Sequence, residues 1–229
     1  MLTKRYIFVV KDRINFQSNF SGIDSPERCL NRKHFQNYKK KITYHYSSHG
    51  FRDLEWPDNL SDVIWCVGDS FTVGIGQPQE ETWPQLLQKK IGKRCLNLGE
   101  DGCSNDTMYL RIKKIVELYN PKLIVVMWSY LHRRRIKNTN VHYEKDSFGF
   151  KNDIENFDKN FNLCQKLNVK LIHLIIPNAC ENMNYLKKKY PKLQLIEQLD
   201  YARDYHHFDI ETSKYIVDLL VKKIKNFDF

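Results

Sequence analysis

The chain has 229 residues, 41% of them apolar and 28% charged, with a formal net charge of +10. This length suits one domain with one core, and the composition excludes disordered and collagen-like classes. The lysines are scattered and only Arg133-Arg134-Arg135 forms a compact basic cluster, so the charge reads as a solvated surface and nucleic acid is not an expected partner.

The apolar run Tyr6–Val10 is too short for a signal peptide, and no segment approaches transmembrane length. The six cysteines, Cys29, Cys66, Cys95, Cys103, Cys164 and Cys180, show neither Cys-x-x-Cys nor zinc spacing. These features lead us to expect a soluble cytoplasmic protein with reduced thiols, no metal, no cofactor and no membrane partner.

Residues 11–45 are polar and aromatic with no clean period, although Ser25-Pro26-Glu27-Arg28 suits a helix start. Val63–Val67 is short, β-branched and apolar, which predicts a buried strand that stops at Gly68-Asp69-Ser70. Gly74 and Gly76 lack the third glycine and the lysine of nucleotide loops, so they read as turns. Thr82-Trp83-Pro84 opens a helix to about Ile91, with Trp83, Leu86, Leu87 and Ile91 inward. Cys95–Gly99 predicts a second strand, ending in the turn-rich loop 99–106. Ser104 or Asn105 can cap the next helix, whose inner residues are Met108, Ile112, Ile115 and Tyr119.

Leu123–Trp128 predicts a third buried strand, and residues 137–150 a surface loop. Ile154, Phe157, Phe161 and Cys164 mark one face of another helix, and Val169–Ile176 a fourth strand containing His173 as a packed core histidine. A helix over 181–189, a short strand over Leu193–Ile196, and a helix from about Ile210 to Asn226 complete the pattern, the last with Ile216, Leu220, Ile224 and Phe227 inward. Strands and helices alternating at this spacing predict a parallel sheet covered on both faces.

Ligands in such sheets sit at the carboxyl ends of the strands. The loops 68–72, 99–106 and 129–135 belong there, and segment 204–207 can join them. Asp204 and His207 are three residues apart, a spacing that puts both side chains on one side of a tight turn. A carboxylate can then hold one imidazole nitrogen and leave the other facing Ser70, the arrangement of an activated nucleophile. His206 is the competing base, and the plain alternative is that both histidines are surface or cap residues.

Gly68-Asp69-Ser70-Phe71-Thr72, Asn97 followed by Gly102, and Asp204-x-x-His207 stand in the order of the conserved blocks of the GDSL/SGNH hydrolases, which the chain resembles across about residues 50–229. The resemblance implies a flavodoxin-like three-layer α/β/α sandwich with a mainly parallel sheet of about five strands. It divides the chain into an irregular N-terminal extension, 1–50, packed on the core, and a hydrolase-like domain, 51–229. It implies Ser70 as nucleophile, His207 as base, Asp204 as its orienter, and the backbone N–H groups of Ser70 and Gly102 as oxyanion-hole donors.

The family's third block usually adds an asparagine side chain to that hole. Here Trp128-Ser129-Tyr130-Leu131-His132 stands there, with Leu131 near the expected asparagine. Ser129, Tyr130, His132, Asn105 or one of the arginines is the candidate substitute, since losing one donor costs about 10²–10³ in rate. The expected function is a serine-dependent hydrolase acting on an acyl or acetyl ester of a small molecule or carbohydrate, with an acyltransferase variant using the same residues. The rival is a catalytically silent domain that binds a polyanion or protein through Arg133–Arg135. An ordinary α/β-hydrolase fits less well, because Ser70 lacks the Gly-x-Ser-x-Gly elbow.

Overall fold

The structure is a computed structural model that describes residues 9–29, 33–137, 139–142 and 149–225. In chain order the elements are β1 (Gln17–Ser18), α1 (Pro26–Cys29), α2 (Lys33–Asn37), β2 (Tyr44–His45), β3 (Ile64–Gly68), α3 (Ser70–Val73), α4 (Trp83–Ile91), β4 (Cys95–Gly99) and α5 (Asn105–Tyr119). They continue with β5 (Leu123–Trp128), β6 (Arg133–Ile136), β7 (Thr139–His142), α6 (Gly149–Gln165), β8 (Lys170–Ile175), α7 (Met183–Lys189), β9 (Leu193–Leu195) and α8 (Ile210–Ile224).

Five strands form one parallel sheet in the order β4-β3-β5-β8-β9. Every residue of β3, β4 and β5 is buried, which is why these segments are continuous apolar runs rather than alternating ones. The crossover from β3 to β4 runs one way across the sheet and the next, from β4 to β5, runs back. Right-handed crossovers therefore put α4 on one face and α5 on the other. α8 packs with α4, and α6 with α5, completing an α/β/α sandwich. The reversal of direction opens a crevice at the carboxyl end of β3, where Ser70 begins α3.

Periodicity placed the helices well. Trp83 and Leu87 of α4, Met108, Ile112 and Ile115 of α5, and Ile154, Phe157, Phe161 and Cys164 of α6 are all buried. Leu86, Ile91 and Tyr119 are half-buried at the edges of those faces. All six cysteines are free. Tyr6, Ile7 and Phe8 of the N-terminal run, and Phe227, lie outside the described residues.

One expectation is corrected. The segment taken as a surface loop after the arginine cluster begins as the antiparallel ribbon β6–β7, pairing Arg133 with His142 and Ile136 with Thr139. The ribbon is pinned to the start of α5. Asn140 Oδ1 accepts from Ser104 Oγ (2.9 Å) and Thr107 Oγ1 (2.5 Å), and the Arg135 amide donates to Asp106 (3.1 Å). A second ribbon, β1–β2, lies in the N-terminal region, where no period was visible. Among the described residues no helix is long and apolar enough to cross a membrane.

Candidate active site

Asp69 sits between β3 and α3 as the helix cap, its Oδ1 accepting from the Phe71 amide (3.1 Å). This cap turns the chain sharply and presents Ser70 at the sheet's carboxyl edge. Arg52, wholly buried, holds the far side of the turn by donating to the carbonyls of Gly74 and Gln77, the latter at 2.9 Å. Asn97 ties β4 to the same turn, donating to the Thr72 carbonyl (2.8 Å) and accepting from the Gly99 amide (2.9 Å).

The loop before α8 brings in the other two groups. Asp204 Oδ1 accepts from the amides of His206 and His207, both at 3.0 Å, with Tyr205 at φ +56° between Asp204 and His206. That left-handed residue folds the loop back so that Asp204 Oδ2 meets His207 Nδ1 at 2.5 Å. A carboxylate only accepts, so Nδ1 carries the proton and Nε2 is left as an acceptor. Nε2 lies 2.8 Å from Ser70 Oγ. The three side chains thus form one hydrogen-bonded series, with Ser70, Asp204 and His207 all buried. Burial acts to raise the Asp204 carboxyl, but His207 and the two amides outweigh it and hold its pKa below the ordinary value. The Phe71 ring braces the imidazole edge-on, with centroids 4.5 Å apart.

His206 faces outward, its Nε2 sharing a hydrogen bond with the Tyr130 hydroxyl (3.3 Å). Of the two histidines, it is His207 that meets both Ser70 and Asp204. Gly76 makes the loop's approach possible. At φ +80°, a Cβ added there would stand 2.8 Å from Ala202 Cβ, and its carbonyl accepts from the Arg203 amide (2.9 Å).

Ser70 opens into a cleft of about 580 Å³ whose wall includes Gly102, Tyr130, His132, Arg133 and His206. Gly102 adopts φ +72°, which turns the β4–α5 loop toward the serine. The opposite rim comes from the N-terminal region, through Gly22, Ile23 and Arg28. That rim is fastened beside the loop that carries Asp204 and His207. Arg203 donates to Asp24 from Nε (2.8 Å) and Nη2 (2.7 Å), and the Tyr44 hydroxyl donates to Asp24 at 2.6 Å. No sequence period flagged Asp24, Tyr44 or Arg203. Asp24 and Tyr44 are buried polar groups that need partners, and nothing local in the sequence marks the pairing with Arg203.

The candidate substitutes for the missing asparagine separate clearly. Asn105 is buried at the start of α5 and spends its amide on the backbone of the loop after β5. Its Oδ1 accepts from the Ser129 amide (2.8 Å) and its Nδ2 donates to the Ser129 carbonyl (3.3 Å). Ser129 is buried and donates its hydroxyl to Asp69 Oδ2 (2.6 Å). Leu131 is buried apolar filling. Tyr130 and His132 line the cleft with their rings stacked at 5.3 Å. Burial, with Asp69 nearby, pushes the Tyr130 phenol up to about 12.

The arginine cluster is not a solvated face. Arg133 pairs with Asp69 (2.8 Å), Arg134 with Asp153, and Arg135 donates to Thr107 Oγ1 (3.2 Å). Burial pushes the Asp69 carboxyl up, and Arg133 pulls against it.

No family model matches the chain, and no curated protein matches it. Solved structures do. One is a carbohydrate esterase described as having an active site with divergent catalytic and non-catalytic binding functions, at 12% identity and a TM-score of 0.53, covering 75% of this chain and 70% of that one. Another is a lipolytic protein of the G-D-S-L family from Desulfitobacterium hafniense DCB-2, at 14% identity and a TM-score of 0.50, covering 71% of this chain and 99% of that one. With the sheet order and the crevice at β3, these likenesses show that the chain has the fold of the GDSL/SGNH hydrolases.

Proposed function

We propose that this chain is a serine-dependent hydrolase of a small-molecule or carbohydrate ester. The observation that carries the reading is the buried series Ser70 Oγ to His207 Nε2 at 2.8 Å and His207 Nδ1 to Asp204 Oδ2 at 2.5 Å. Ser70 Oγ attacks the ester carbonyl as His207 Nε2 takes its proton, and Asp204 holds the imidazole in the tautomer that can do so. The imidazolium then returns the proton to the departing alkoxide. Water, activated by the same nitrogen, releases the acid from Ser70. The backbone N–H groups of Ser70 and Gly102 are the expected donors to the oxyanion.

The cleft favours a hydrolase acting on a substrate with polar groups, because tyrosine, histidine and arginine side chains line it. The rival reading is less favoured, since Arg133 pairs with Asp69 inside the cleft and Arg134 with Asp153, so the cluster does not form an open basic surface for a polyanion. The test is turnover of p-nitrophenyl acetate by the wild type and by Ser70→Ala. The expected outcome is hydrolysis by the first and, in the second, a fall on the order of 10⁶ with unchanged folding. Equal rates would sink the proposal.

A further inference from the structure

The Asp69–Arg133–Ser129 cluster is an odd thing to find beside a nucleophile. Arg133 Nη1 donates to Asp69 Oδ2 (2.8 Å) and to Ser129 Oγ (2.7 Å), and Ser129 donates to the same Asp69 oxygen. Asp69 is wholly buried and Arg133 only 7% exposed. Burying an ion pair is often no more stabilising than apolar packing, so stability is a weak reason for it. Its placement is a stronger one. Asp69 immediately precedes Ser70, and Arg133 lines the cleft together with Ser70, Gly102 and His207. The guanidinium is also held rigidly. Its backbone opens β6, which is pinned to α5, and its Cζ lies 4.9 Å from the Tyr130 ring centroid.

We propose that Arg133 is a catalytic residue that fills the role of the absent asparagine, using its N–H groups and charge to stabilise the oxyanion. The inference rests on the serine mechanism above. In that step the Ser70 Oγ–carbon bond forms, the carbonyl π pair moves onto oxygen, and the Ser70 proton passes to His207 Nε2. Arg133 exchanges no proton. It offsets the negative charge until the pair returns, the bond to the alkoxide breaks, and the alkoxide takes the proton from His207. A guanidinium presents five donors in a fixed fork and stays protonated. Asp69 and Ser129 orient that fork beforehand, so little reorganisation is needed when the charge develops.

The test uses the full chain, with p-nitrophenyl acetate as a neutral ester and p-nitrophenyl hydrogen succinate as an acidic one. Arg133→Met is expected to lower kcat on both esters by about 10²–10³, with KM changed by less than about threefold. Arg133→Lys, which keeps the charge and loses the fork, should fall between. Arg133→Met also leaves Asp69 buried without its cation, so the pair Asp69→Asn and Asp69→Asn/Arg133→Met is measured alongside. The neutral cap removes that charge penalty, and the double variant should still fall below its single parent.

Inhibition by phenylboronic acid, which forms a tetrahedral adduct on serine, should weaken in step with kcat. A purely structural arginine would not produce that parallel. Arg133→Met with kcat near the wild-type value overturns the inference, as does a loss confined to KM for the succinate ester, which would make Arg133 a contact for substrate charge. A wild type without Ser70-dependent turnover overturns the serine mechanism and this inference together. Ser70-dependent turnover that ignores position 133 overturns only this one.

Discussion

His173 and His207 are buried to the same degree, at 2% and 3% exposure, and their neighbours make them different groups. His173 sits in the middle of β8. Its Nδ1 accepts from the Trp128 indole (3.1 Å), its ring stacks on that indole, and its Nε2 lies 2.7 Å from the Gln165 amide. All these partners are neutral, so burial, with Lys192 adding to it, pushes the imidazole down to about 4. His207 has a carboxylate on one nitrogen and a hydroxyl on the other. Burial alone therefore says little about a histidine's work. A neutral setting makes it filling, and a carboxylate on one side with a hydroxyl on the other is the setting that the proposed proton transfer needs.

The sharpest way to break this contrast is to replace each ring. His207→Gln should lower ester turnover by about 10⁶, whereas His173→Gln should leave kcat/KM within about threefold. Comparable losses would dissolve the distinction. Next in size, Asp204→Asn keeps the shape but frees the imidazole to take the other tautomer, and kcat should fall by about 10⁴. A change of less than tenfold would mean that Asp204 only shapes the loop.

The smallest effect is on stability and concerns His173. Its pKa in the folded chain, about 4, lies below the ordinary 6.5. The unfolded chain therefore binds the proton more readily. The stability contributed by the neutral ring is present above pH 6.5 and is lost as pH falls toward 4, by up to about 3 kcal/mol. Urea unfolding of the wild type should steepen over that window, and His173→Gln should flatten it. Identical slopes would show that the ring is not held neutral.

How much of this was visible beforehand followed the range of the interactions. α4, α5 and α6 were legible because their buried residues repeat at helical spacing within one segment. The meeting of Ser70, Asp204 and His207 in one hydrogen-bonded series was legible from residue types and spacing, the three-residue step from Asp204 pointing to His207 rather than His206. The pairing of the arginine cluster was not legible, because the partners of Arg133 and Arg134, Asp69 and Asp153, lie elsewhere in the sequence. β1 and β2 were invisible for a related reason: each is two residues long, too short for any alternation to register.

The bond between Ser70 and His207 joins residues 137 apart, and the Asp24–Arg203 pair beside it joins residues 179 apart. Contacts so far apart in sequence are among the slowest to form, because the long loop between them must close first. The sheet, by contrast, has all its strands by residue 195. A nascent chain stopped a few residues beyond that point holds the serine and every strand, but no base. Under the proposed mechanism such a fragment would lack the group that activates Ser70 until the segment carrying Asp204 and His207 joins the sheet.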